Sequence, residues 1–268
     1  MAVEKAYKNL DFLMSQEARM LRILAEYMEP RARFKRYRVT DTVVFFGSAR
    51  ALPQDEAERR LQRAEAGADP AEIAVARREL RLSAFYEDAR RLAYLLTEWS
   101  KGLGQPWKRF IVCSGGGPGI MEAANRGASE AAGISIGLGI SLPQETTSNR
   151  YITRELAFEF HYFFTRKFWF AYLAKALVVF PGGFGTLDEL FELLTLVQTG
   201  KTNKKMPIVL YGNEYWDDVL NFEELVRWGT IDPGDLRLYH RASTPEEAFE
   251  LLRSELTRLH LDSGPDEG

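Results

Sequence analysis

Residues that build covalent or metal-held scaffolds are scarce in this chain. Of its 268 residues one is cysteine, Cys113, and three are histidine, His161, His240 and His260. A lone thiol excludes an internal disulfide, and histidines this scattered leave no cluster at metal-ligand spacing, so no metal site is expected. An excess of basic charge is missing too: 35 Lys and Arg stand against 38 Asp and Glu, a formal charge of −3 with neutral histidine. A protein whose main partner is a nucleic acid backbone is usually basic, and that class is set aside. Long uncharged apolar runs are also absent. The most apolar stretch, Phe158 to Phe180, is interrupted by Glu159, Arg166, Lys167 and Lys175, whereas a membrane span needs about 20 nearly uncharged residues. The opening MAVEKAYKNL lacks the basic-then-apolar order of a signal peptide, so the cytoplasm is the expected compartment.

What is present is an ordinary globular composition, 46% hydrophobic and 27% charged, which excludes a disordered or collagen-like chain. Leu10, Leu13, Met14, Met20, Leu21, Leu24 and Met28 recur at helical spacing and predict a helix ended by Pro30. Arg31, Arg33, Lys35, Arg36 and Arg38 follow, either an anion-binding arm or a solvated lead-in to the first strand. Short β-branched and aromatic runs predict strands at 43–46, 110–113, 134–140, 176–180 and 207–211, with an aromatic strand over 156–164 and a late one at 237–240. Between them lie helical stretches: a charged insertion over 54–82, broken near Gly67-Ala68-Asp69-Pro70, an amphipathic run from Phe85 to Trp99, and a helix start at Ser243-Thr244-Pro245. Alternating strands and helices give an α/β fold, a doubly wound and mostly parallel sheet covered on both faces. Ligands of such sheets bind beyond the carboxyl ends of the strands.

Two glycine-rich turns fall at such ends. The first, Ser114-Gly115-Gly116-Gly117-Pro118-Gly119, does not have GxGxxG spacing, and the next strand ends Gly139-Ile140-Ser141 with no acid for a ribose hydroxyl. A nicotinamide dinucleotide is therefore not expected. The second, Pro181-Gly182-Gly183-Phe184-Gly185-Thr186-Leu187-Asp188-Glu189, places three glycines in four residues ahead of a Leu-rich helix. Its backbone is free to wrap an oxyanion, and Thr186 adds a hydroxyl. No Lys-Ser/Thr pair follows the glycines, so it is not a Walker loop, and a phosphate there would be a handle for positioning. Thr186-x-x-Glu189 also fits a capping box, which is the bland alternative to a catalytic Glu189. Asp188 suits a first helical turn and is expected to face solvent. Thr165 reads as an N-cap, and Arg166-Lys167 just after it oppose the helix dipole, which implies a fixed anion nearby. Cys113 reads as a buried core residue.

Together the stretches VVFFGSAR (43–50), SGGGPGIMEAANRGA (114–128), FFTRKFWFAYLAKA (163–176) and PGGFGTLDELFELLTLVQTGK (181–201) resemble the LOG phosphoribohydrolases, long mislabelled as lysine decarboxylases. The wording and the N-terminal segment are similar to the longer bacterial branch. The resemblance implies a Rossmann-like homo-oligomer, a homodimer or larger, that hydrolyses the N-glycosidic bond of a nucleoside 5′-monophosphate to free base and ribose 5-phosphate. By the same resemblance Glu189 is the catalytic carboxylate and Arg166 its partner, with Lys167 beside them. Gly182, Gly183, Gly185 and Thr186 hold the phosphate, while Gly116, Gly117 and Glu122 contribute to the ribose and phosphate end. No cofactor or metal is implied, since the phosphate is never transferred. The expected organisation is a helical extension over 1–38, one nucleotide-binding catalytic domain over 39–262 and a disordered tail over 263–268. The alternatives are a broad purine or pyrimidine monophosphate nucleosidase and a non-catalytic carrier of a nucleotide or of molybdenum cofactor. Neither glycine turn offers the lysine and partner acid of a pyridoxal phosphate site.

Overall fold

The computed structural model describes residues 3–104, 108–141, 148–202 and 204–262; the tail expected over 263–268 lies outside them. The chain runs α1 (Leu10–Met14), α2 (Arg19–Tyr37), β1 (Thr42–Phe46), α3 (Gln54–Gly67), α4 (Pro70–Gly102), β2 (Ile111–Ser114), α5 (Ile120–Glu130), β3 (Ser135–Ile140), β4 (Ala157–Phe160), α6 (Phe163–Leu173), β5 (Ala174–Val179), α7 (Phe184–Gln198), β6 (Ile208–Tyr211), α8 (Asn213–Val219), α9 (Phe222–Arg227), β7 (His240–Ala242) and α10 (Pro245–His260). The strands form one seven-stranded sheet in the order β4-β3-β2-β1-β5-β6-β7. Every pairing is parallel.

The strand runs are apolar on both faces because helices cover both faces. In β1, Val43 and Phe45 join the core beneath α4, α5 and α10, while Val44 and Phe46 join the core beneath α2, α6 and α7. Cys113 is buried in the second of these. Phe45 and Phe180 are fully buried, each worth about 1.5–3 kcal/mol of apolar transfer. The break foreseen near Gly67 separates α3 from α4: Ala68 turns left-handed, and the Asp69 side chain accepts from the Ala71 amide at 2.8 Å. Thr244 likewise caps α10 through the Glu247 amide at 3.2 Å, with Pro245 at its first position.

Four local expectations are corrected. Pro30 does not end its helix; it lies buried inside α2, which continues to Tyr37. A proline leaves the carbonyl four residues earlier without its helical donor, here that of Glu26, and the Trp169 indole Nε1 donates to it instead at 2.9 Å. Thr165 is not an N-cap, because α6 begins at Phe163. Expected strand 156–164 shortens to Ala157–Phe160, since Phe163 and Phe164 enter that helix. The late strand lies at His240–Ala242, after a 3₁₀ turn over Pro233–Arg237.

From β1 the strand order grows one way through β2, β3 and β4, then restarts on the other side with β5. That puts the topological switch point between β1 and β5, where sheets of this kind open a crevice. Three turns are tied together there. Ser48 donates its amide to the Pro181 carbonyl at 2.9 Å and accepts from the Ile120 amide at 3.0 Å. Gly119 has φ +71°, and a Cβ on it would lie 2.3 Å from the Ser48 carbonyl oxygen, so the close approach requires glycine.

Candidate active site

Helix α6 brings Arg166 to the switch point and α7 brings Glu189. Arg166 Nη1 lies 3.3 Å from Glu189 Oε1, with side-chain exposures of 10% and 14%. The guanidinium is fixed on its other sides. Nε donates to the Leu138 carbonyl of β3 at 2.7 Å, and the group sits 5.0 Å from the Phe170 ring centroid. Gly115 makes room for it: a Cβ there would stand 2.7 Å from Nη2. A buried ion pair has to recover the cost of leaving water, and the Leu138 hydrogen bond and the Phe170 ring face both serve that end. Burial pushes the Glu189 pKa up to about 7, against the opposing pull of Arg166. A carboxyl group titrating near neutrality beside a fixed cation has the character of an acid–base or charge-stabilising group.

Lys167 turns the other way. Its Nζ lies 2.8 Å from Asp188 Oδ2 and 3.0 Å from Glu192 Oε2, and Asp188 is exposed as foreseen. The anions implied by the Arg166-Lys167 pair are thus carboxylates of α7. Burial works against the Lys167 charge, while the hydrogen bonds to those two acids raise its pKa on balance.

The second glycine turn opens beside this pair. Gly183 is the N-cap residue of α7, and among the described residues no side chain caps the helix. The capping-box reading of Thr186 and Glu189 is therefore overturned: Glu189 bonds Arg166, and Thr186 lies buried inside the helix with its side chain against Gly182. A Cβ at Gly183 or Gly185 would meet nothing within 4 Å, and Phe184 between them is 93% exposed. Uncapped first-turn amides and the positive helix end favour an anion here. The turn is held from behind by Tyr215, whose hydroxyl donates to the Gly182 carbonyl at 2.5 Å.

Two carbonyls of the first glycine turn are taken up by a later segment. Asn149 Nδ2 donates to the Gly116 and Gly117 carbonyls at 3.1 Å each and to Asn125 Oδ1 at 2.9 Å. Asn125 also accepts from the Ser114 hydroxyl and donates to the Ile136 carbonyl, which closes a buried polar network. Glu122 lies on the opposite helix layer, where it accepts from the Tyr86 hydroxyl at 2.9 Å and lines a charged cleft with Arg126, Arg150 and Tyr151. The structure thus brings together Arg166, Glu189, Lys167 and the second turn; it sets Glu122 apart and places the Gly116 and Gly117 carbonyls on Asn149.

Several contributors gave no motif in the sequence: the Leu138 carbonyl, Tyr215, and Glu26 of α2; Phe170 lies within the 163–176 stretch but was not singled out. Glu26 had one local signal, its position four residues before Pro30. Among the described residues, no group of His, Cys, Asp or Glu converges as a metal site would, and no helix is long and apolar enough to cross a membrane.

Residues 121–252 match the family described as "Possible lysine decarboxylase". A protein of Oryza sativa subsp. japonica named "Probable cytokinin riboside 5′-monophosphate phosphoribohydrolase" is 34% identical over 88 residues, 32% of this chain and 41% of that one. The cytokinin riboside 5′-monophosphate phosphoribohydrolase of Rhodococcoides fascians is 29% identical over 131 residues, 47% of this chain and 64% of that one. The match thus spans about four to six tenths of the length of these relatives. The resemblance to the LOG family is borne out, at modest identity. Among solved structures, the molybdenum cofactor binding protein of Rippkaea orientalis aligns with a TM-score of 0.49 and 19% identity, covering 82% of this chain and 99% of that one.

Proposed function

We propose that this chain, whose residues 121–252 carry the LOG-family pattern, hydrolyses the N-glycosidic bond of adenylate-type nucleoside 5′-monophosphates. Water adds across the bond between C1′ and the base nitrogen: its hydroxyl goes to C1′, its proton to the departing base, and ribose 5-phosphate is left. The observation that carries this reading is the buried Arg166–Glu189 pair standing beside an uncapped, open helix start.

The geometry supports the following roles. A phosphate monoester accepts from the first-turn amides of α7, which holds the sugar by a group remote from the reacting carbon and supplies binding energy. Breaking the C1′–N bond develops positive charge on the ribose ring, and a carboxylate one helical turn onward stabilises it or takes a proton from the attacking water. Arg166 holds Glu189 in place through its rigid fork of donors. Lys167 orders the outer acids of α7. In this reading the working protein is a homo-oligomer; the exposed Phe163, Phe164, Phe168 and Tyr172 of α6 support an interface on that helix.

The test is direct. Purified protein is incubated with AMP and with its N6-isopentenyl analogue, and free base and ribose 5-phosphate are measured. Release of both products in equal amounts is expected. Release from the prenylated nucleotide alone narrows the substrate to cytokinin precursors, and release from inosine or pyrimidine monophosphates as well widens it. Tight nucleotide binding with no products contradicts the reading and favours a carrier.

A further inference from the structure

Helix α6 carries both cations of the candidate site, and its first turn has no side-chain cap of its own. The missing acceptor comes from a distant part of the chain. Glu26 Oε1 accepts from the His161 amide at 2.7 Å and Oε2 from the Tyr162 amide at 3.4 Å. The Thr165 hydroxyl, inside the first turn, also donates to Glu26 Oε2. One carboxylate thus serves three donors around the helix start, at the end where negative charge is favoured. The backbone of the same residue makes a fourth contact. Pro30 strips the Glu26 carbonyl of its helical donor, and the Trp169 indole, in the next turn of α6, takes it at 2.9 Å. Tyr27 against Phe168, with ring centroids 5.0 Å apart, and Phe34 against Trp169, 5.3 Å apart, complete the contact.

These bonds concentrate on the segment just before and around Arg166. Among the described residues, the Arg166 side chain hydrogen-bonds the sheet at the Leu138 carbonyl alone, so the axial position of α6 decides where its guanidinium meets Glu189. The far end of the helix is held as well, since Lys204 Nζ donates to the Ala171 carbonyl at 3.0 Å and to that of Tyr172. An anion at the start and a cation at the end complement the helix dipole. Of the two, Glu26 is the one adjacent to the site.

We infer that Glu26 is a positioning residue: through the His161 and Tyr162 amides and the Thr165 hydroxyl it sets helix α6 so that Arg166 meets Glu189. The residue touches neither the Arg166–Glu189 pair nor the glycine turn. The catalytic consequence rests on the hydrolase reading above, whereas the mechanical part does not. Displacement of a catalytic group by a fraction of an ångström lowers the rate of the chemical step and leaves remote substrate binding intact.

The experiment is a double-mutant cycle of Glu26→Ala and Thr165→Val, read by AMP turnover and by hydrogen exchange. Glu26→Ala is expected to lower kcat about tenfold or more with KM held within about twofold. Thr165→Val lowers kcat less, and the double variant falls no further than Glu26→Ala alone, because removing Glu26 already takes away the bond that Thr165 makes to it. The amides of His161 and Tyr162 exchange faster in Glu26→Ala. Arg33→Ala, which removes the hydrogen bond to the Ala157 carbonyl made by the same helix, lowers the melting temperature and leaves kcat unchanged. Wild-type kcat in Glu26→Ala would overturn the inference. So would losses that multiply in the double variant, or kcat falling in step with melting temperature across all variants. Should Glu26→Ala not fold, Glu26→Gln takes its place in the cycle with the same outcomes. If the wild-type protein releases no base from AMP or from its N6-isopentenyl analogue, the hydrolase reading fails. Exchange at the two amides then decides the mechanical claim, and unchanged exchange in Glu26→Ala refutes it.

Discussion

The turns at 114–119 and 181–186 each follow a buried parallel strand and lead into a helix, yet a side chain added to them would meet different surroundings. At 115 it would strike the Arg166 guanidinium and at 119 the Ser48 carbonyl, while at 183 and 185 it would enter open space. Carbonyls of the first turn are taken by Asn149, and the helix after the second turn has no cap. Glycine serves two purposes here. In one turn it lets neighbouring backbone and a buried cation come close, and in the other it leaves amides uncovered for a ligand. Glycine spacing alone cannot tell these apart. The difference lies in what later segments, such as 148–152, fold back to fill.

The sharpest way to set the two turns apart is to remove the group that only one of them adjoins. Glu189→Gln is expected to lower AMP turnover by about 10²–10⁴-fold, the usual worth of a general acid or base. Its melting temperature should stay within a few degrees, because Glu189 caps nothing. Preserved turnover in this variant would remove the second turn's claim to the chemistry.

Next in size is a structural effect confined to the first turn. Gly119→Ala forces a Cβ to within 2.3 Å of backbone at a positive φ, a strain of the order of 1–3 kcal/mol or more. A fall of several degrees in melting temperature is expected, with KM unchanged in the folded fraction. Unaltered stability would mean that the first turn is looser than its contacts imply.

Gly185→Ala should do the converse. Alanine is favoured over glycine inside a helix by about 1 kcal/mol, and the site is open, so stability holds or rises slightly. KM for AMP is expected to rise about tenfold, as the methyl group intrudes on the phosphate position. Equal KM in the variant and the wild type would argue that the monoester sits elsewhere.

The smallest effects are those of pH. Glu189 is held up to about 7 by burial, and its ionised form is the one that stabilises positive charge or accepts a proton, so kcat should rise with pH through about 7. The sign for stability is opposite. The folded chain keeps this proton up to about 7, while the unfolded chain releases it near the ordinary 4.5. The group's contribution is present at low pH and is lost as pH rises through 7. Glu189→Gln, which cannot titrate, should therefore compare more favourably with the wild type in melting temperature at pH 8 than at pH 5.

Much of the fold was legible because a parallel sheet buried on both faces writes its strands as short apolar runs, as in Val43–Phe46 and Leu177–Phe180. The break before Pro70 and the start at Pro245 were legible for a related reason: the cap residue and the proline are local signals. What escaped was non-local. Pro30 reads as a helix terminator until Trp169 offers a donor to the carbonyl it orphans. Thr165 reads as a cap until the helix is found to start at Phe163 and the Thr165 hydroxyl to donate to Glu26 of α2. Thr186-x-x-Glu189 fits a capping box in one dimension, and only the arrival of Arg166 from another helix gives Glu189 a different partner. Arg166 and Lys167, and likewise Glu189 and the second turn, were named from sequence because each set lies within one contiguous motif. The outlying position of Glu122 follows from which sheet face α5 packs on, and no run of residues records that.

The central claim is that the α7 helix start grips a phosphate monoester while Glu189 attends the neighbouring sugar carbon. A crystal structure of Glu189→Gln with AMP tests it most directly. The account predicts phosphate oxygens within hydrogen-bond distance of the amides at 184–186, with ribose C1′ turned toward residue 189. Phosphate seated on the 114–119 turn, or a ribose facing away from residue 189, would contradict it.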